Sequence, residues 1–181
     1  MTTRDPSVAQ ERLLVVLVTL STVVANTWSR SLRSIVPDFR VRVVRLDDNK
    51  IQRHEASLEA LLEADNSERA VLIGHGKAAR TCVQYALKLP VGLKALVLAE
   101  ATLSDIGADA GRVECPVLVI RGRQSTSLSH SEAVAEREAF VKAKTTRIVE
   151  LEHTADLPFS QRPYEFVEAL VWFLDSVGCG L

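Results

Sequence analysis

Short runs of β-branched residues and leucine alternate with amphipathic stretches along almost the whole chain. The strand candidates are Leu13–Leu20, Arg40–Leu46, Ala70–Ile73, Ala95–Ala99, Val117–Arg121 and Arg147–Leu151. Several are apolar at successive positions, the mark of strands covered on both faces. Between them lie helical patterns at Thr27–Val36, Arg53–Glu63, Lys77–Leu89, Ser131–Lys144 and Pro163–Val177. In the last, Phe166, Leu170, Phe173 and Val177 share one face, and Pro163 suits a first helical position. This alternation predicts a three-layer α/β fold. It has a mostly parallel sheet of about six strands joined by right-handed crossovers, with helices on both faces.

Composition narrows the class. A chain of 181 residues, 47% hydrophobic and 25% charged, is the size of one domain with a real core. The expected division is a flexible tail over residues 1–10, a single domain over 11–177 and a short tail over 178–181. The net charge of −1, with lysines and arginines scattered, gives no electrostatic reason to expect nucleic acid or a membrane surface as partner. The run Leu13–Leu20 is too short to span a bilayer, and the polar start lacks the apolar stretch of a signal peptide. Cys82, Cys115 and Cys179 form an odd set without metal-ligand spacing, which suits a reducing compartment. Gly74 and Gly76 match neither a phosphate loop nor a dinucleotide fingerprint. The expectation is therefore a cytoplasmic protein without cofactor or metal.

Chemistry in an open parallel sheet sits on the loops after the carboxyl ends of the strands, and these loops carry a family likeness. Ala70-Val-Leu-Ile-Gly-His-Gly-Lys-Ala-Ala-Arg80 resembles the strand, sharp turn and helix of an α/β-hydrolase nucleophile elbow. Lys88-Leu-Pro-Val-Gly-Leu-Lys-Ala-Leu-Val-Leu-Ala-Glu-Ala101 is similar to the family's helix end and following strand. Glu114-Cys-Pro-Val-Leu-Val-Ile-Arg-Gly122 resembles the strand leading to the triad acid. The stretch from His153 through Pro158 and Pro163 to Leu174 resembles the histidine loop and final helix. Val15-Val-Leu-Val-Thr-Leu-Ser-Thr22, with Trp28, resembles the first strand and oxyanion loop. The likeness runs from about Glu11 to Val177 and implies the strand order 2-1-3-4-5-6. It also implies that the family's first two strands and its helical lid are missing.

Set against that pattern, the catalytic positions are altered. The nucleophile position holds Gly76, which has no side chain to start acyl transfer. The acid position falls at Ser125, which lacks the carboxylate that holds a histidine in its working tautomer. Thr19-Leu20 replaces the usual His-Gly of the oxyanion loop, leaving Ser21, His75 and Lys77 as pocket residues. His153 alone is retained, a candidate general acid/base. Glu100 and Asp105 follow the neighbouring strand, and either is a candidate to orient it. Asp156 reads as a turn or cap residue, and Ser129 and Ser131 as helix caps.

The functional expectation is a lidless pseudoenzyme with a degenerate triad, binding a small molecule or another protein and forming a homodimer. The alternative is an isomerase, lyase or cyclase in which His153 moves protons.

Overall fold

The computed structural model describes residues 12–35, 39–47, 54–65, 69–88 and 90–179. Six strands form one sheet: β1 (Leu14–Thr19), β2 (Arg40–Arg45), β3 (Ala70–His75), β4 (Leu93–Ala99), β5 (Val117–Gly122) and β6 (Thr146–Leu151). Their order is β2-β1-β3-β4-β5-β6, and each neighbouring pair is parallel. The helices are α1 (Thr22–Ile35), α2 (His54–Asp65), α3 (Ala79–Ala86), α4 (Leu103–Ile106), α5 (His130–Ala139), α6 (Pro158–Gln161) and α7 (Pro163–Ser176). All strand carboxyl ends therefore emerge on one edge of the sheet.

The continuous apolar reading of the strands has a simple cause. Side chains alternate between two faces, and both faces are covered. Val15, Leu17, Val71, Ile73, Val97 and Ile120 pack against Trp28, Phe159, Phe166 and Phe173 from α1, α6 and α7. Leu14, Val16, Leu72, Leu96 and Leu98 pack against Leu58 and Leu62 of α2 and Cys82 and Val83 of α3. Trp28 meets the rings of Phe159 and Phe166 edge-on at 5.3 and 5.2 Å, the favoured geometry for aromatic pairs.

Helix boundaries differ from the sequence expectation where capping overrides periodicity. Helix α1 starts at Thr22, not Thr27, because Ser21 Oγ accepts a hydrogen bond from the Val24 amide, as an N-cap serine does. This puts Trp28 inside α1 and in the core, not in an oxyanion loop. The expected Lys77–Leu89 helix is a 3-10 turn at Gly76–Ala78 followed by α3. Helix α5 begins after Ser129, which forms a capping box with Glu132, and stops at Ala139 rather than Lys144. Helices α4 and α6 were not anticipated. Residues 1–10, Val36, Arg53 and Leu89 lie outside the described residues. The expected tail at 178–181 still packs at its start: the Cys179 amide donates to Leu174 O at 2.8 Å and Cys179 is buried.

Candidate functional site

The chain leaves β3 through Gly76 at φ 52°, a left-handed conformation that disfavours side chains. This is the apex of the sharp turn. A Cβ placed on Gly76 would meet only Glu100 O, at 3.9 Å, so space for a side chain exists. Lys77 beside it is exposed, and Ser21 is half-buried across the β1 loop.

Behind the elbow, three loops are tied by carboxylates. Glu100 ends β4 with φ 52° and is buried. Its Oε1 accepts from the Gly122 amide, and its Oε2 lies 2.5 Å from Ser125 Oγ. The same hydroxyl is 2.8 Å from Asp156 Oδ1. Asp156 also accepts from the amides of Thr126 and Ser127 at 3.0 and 3.1 Å and from Thr126 Oγ1 at 3.1 Å. Burial, countered in part by the bonds from Ser125 and Gly122, lifts the Glu100 carboxyl to about 7. For Asp156, burial pushes upward but the donors of the 125–127 loop win and hold it at about 2. Ser125 has a single proton to share between two carboxylates. The consistent arrangement is Asp156 ionised and receiving it, with Glu100 able to carry a proton of its own. Asp156 is thus the hub of the loop cluster rather than a turn or cap residue.

His75, at the end of β3, is a bracket. Its Nδ1 lies 3.5 Å from Thr19 Oγ1 and its Nε2 3.5 Å from Asp156 O, and the ring meets Phe159 edge-on at 5.3 Å. Asp156 O can only accept, so Nε2 carries the proton, and Nδ1 of the neutral ring accepts from Thr19 Oγ1, which itself accepts from the Ser21 amide. Burial, against the pull of Asp156, lowers the His75 value and keeps this tautomer neutral.

His153 lies apart from these groups. It takes φ 53° and its side chain is exposed. Among the described residues no hydrogen bond or ion pair joins it to Glu100 or Asp105. Asp105 instead closes a capping box on α4, accepting from the amide and hydroxyl of Thr102 at 2.9 Å. The candidates therefore separate. Glu100, Ser125, His75 and the Gly76 turn cluster, whereas His153 and Asp105 do not join them through any such bond.

One buried acid escaped the sequence reading. Glu136 of α5 is 0% exposed, and neither carboxylate oxygen has a hydrogen-bond partner. Burial, then the fields of Asp105 and Glu100, raise it to about 9, so it stays protonated at neutral pH. The signal was available, since Ala133, Glu136 and Phe140 recur at the inward helical spacing. Among the described residues no group of histidine, cysteine and carboxylate side chains is placed to hold a metal, and no helix is long and apolar enough to cross a membrane.

No family model and no curated protein matches the chain. Solved structures do. An α/β hydrolase from a lagoon-sediment metagenome of Mar Chica, Morocco, superposes with TM-score 0.75 at 12% identity, covering 92% of this chain and 92% of that one. The enol-lactonase of Burkholderia xenovorans LB400 gives 0.72 at 14%, covering 90% and 91%. The bromoperoxidase of Bacillus anthracis gives 0.73 at 13%, covering 90% and 92%. With the parallel strand order 2-1-3-4-5-6 and the sharp turn after β3, these likenesses establish that the chain has the α/β-hydrolase fold.

Proposed function

We propose that this protein is a non-hydrolytic member of the fold, a pseudoenzyme whose elbow end serves binding of a small molecule or a partner protein. The observation that carries the reading is Gly76. It stands at the apex of the turn, in the strained conformation an elbow nucleophile occupies, with room for a side chain and none present. The neighbouring polar groups support it. Ser125 is spent on Glu100 and Asp156, and His75 on Thr19 and Asp156. A base that bonds only to its own scaffold has no lone pair left for substrate.

The competing reading, an isomerase, lyase or cyclase run by His153, draws on the exposed ring of that residue. It lacks the orienting carboxylate that fixes a working tautomer, since Glu100 and Asp105 bond elsewhere. Hydrolysis of a p-nitrophenyl ester separates the two kinds of site. Wild type, His153→Ala and Gly76→Ser should all turn over at the rate of buffer, because triad members act as a unit. A His153-dependent rate would return the site to catalysis. Substantial rescue by Gly76→Ser would mean that an acid such as Glu100 already completes a triad.

A further inference from the structure

One hydroxyl joins the end of β4 to the loop after β6. Ser125 Oγ lies 2.5 Å from Glu100 Oε2 and 2.8 Å from Asp156 Oδ1. Ionised carboxylates only accept, and a serine hydroxyl has one proton to donate. Two oxygen–oxygen contacts this short therefore need a second proton, carried by one of the two carboxyls. The surroundings decide which. Asp156 already receives the Thr126 and Ser127 amides and the Thr126 hydroxyl. Glu100, 3% exposed, receives only the Gly122 amide besides Ser125. A buried carboxyl with few donors is the costlier ion, so the second proton belongs on Glu100. Glu100 then donates to Ser125, and Ser125 to Asp156.

Loss of that proton breaks the chain at a defined point. Two carboxylates now compete for one hydroxyl, and Glu100, short of donors, takes it. The Ser125 oxygen turns a lone pair toward Asp156 Oδ1, which loses a bond and gains a repulsion. The other charged groups around Glu100 offer no relief. Arg121 of β5 is committed to Glu150 and to Leu128 O. Glu136 of α5 is itself an acid without a partner, and Asp105 of α4, whose field reaches Glu136, is tied to Thr102. The backbone carbonyl of Asp156 also accepts from His75 Nε2 at 3.5 Å, so departure of its loop frees that ring beside Gly76.

We propose that Glu100, Ser125 and Asp156 form a proton-dependent latch, which locks the 123–128 and 153–157 loops together while Glu100 is protonated and lets the loop after β6 detach from the elbow when that proton is lost. The latch belongs to the loops and holds whatever the elbow binds.

Backbone hydrogen exchange of the full chain tests this, read as protection factors at about pH 5 and about pH 7.5 so that the intrinsic rates cancel. Burial lifts the Glu100 carboxyl from the ordinary 4.5 to about 7. The preference for the latched state is therefore complete below about pH 4.5 and lost by about pH 7. The amides of Thr126 and Ser127, which donate to Asp156, and of Gln124, which donates to Thr154 O at 2.8 Å, should lose about tenfold or more in protection between the two conditions. Glu100→Gln supplies a permanent donor to Ser125 and an acceptor for Gly122, so its loops should stay protected at both. Ser125→Ala should be poorly protected at both, and Glu136→Gln should respond as wild type does. Glu100→Gln keeps every bond of the latch and guards against a Ser125→Ala variant that fails to fold. Equal loop protection at the two conditions in wild type, the same loss surviving in Glu100→Gln, or loop amides exchanging as slowly as those of β1 throughout would each overturn the latch.

Discussion

Glu136 contributes to stability mainly through its proton. Its carboxyl has no partner and sits at about 9, far above the ordinary 4.5. Glu100 sits at about 7 for the same first reason, burial. Near neutrality Glu136 is protonated in the folded chain and Glu100 about half so, and both ionise when it unfolds. Their contribution is therefore complete below about pH 4.5 and is lost as pH rises, through about 7 for Glu100 and about 9 for Glu136. Asp156, held at about 2, acts in reverse: its contribution is present above the ordinary value of 3.8 and fades only as pH falls toward 2. The melting temperature should accordingly peak on the acid side of neutrality and decline from pH 5 to pH 9. Glu136→Gln removes the ionisation and should raise stability at pH 8 by about 1 kcal/mol or more, flattening the alkaline limb. A flat wild-type profile, or an unaltered slope in the variant, would contradict the protonated carboxyl.

At the scale of elements, the loop after β6 is docked by close contact at Gly122. A Cβ there would overlap the carbonyl oxygens of Thr154 and Ala155, while its amide serves Glu100. Gly122→Ala should cost about 3 kcal/mol by overpacking, read from urea unfolding, and should loosen the loop carrying Asp156. A change within about 0.5 kcal/mol would show that the loop yields freely. Such contacts explain what was legible beforehand. Strands were readable because two covered faces leave continuous apolar runs, and α7 because its stripe is wide and begins at Pro163. Helix α1 was misplaced because a single serine cap outranked the apolar pattern. The role of Asp156 was hidden because its partners, at positions 125–127, come from another loop that only the fold brings near. Arg40 and Arg42 of β2 reach Asp65 of α2 at 2.9 and 3.4 Å, which fastens that helix over the edge strand.

For the whole molecule, the remaining expectation is self-association. The outer side of β2 carries the exposed Arg42 and Arg45, which repel a second copy of the same edge. The elbow end instead exposes Val23 at 65% and Leu103 at 41%, aliphatic groups that gain from being covered. Light scattering over a concentration series should find a dimer, and Val23→Lys with Leu103→Lys should return it to monomer. A monomer at every concentration would leave only a different protein or a small molecule as partner.

Without an acylating nucleophile at the elbow the protein should escape covalent capture by a fluorophosphonate, which intact-mass spectrometry reads. Covalent capture needs an activated hydroxyl with a base beside it. Gly76 offers none, and the Ser125 hydroxyl is committed to two carboxylates. The mass should be unchanged by the reagent. A stoichiometric adduct on any serine would contradict it and move the nucleophile to that residue.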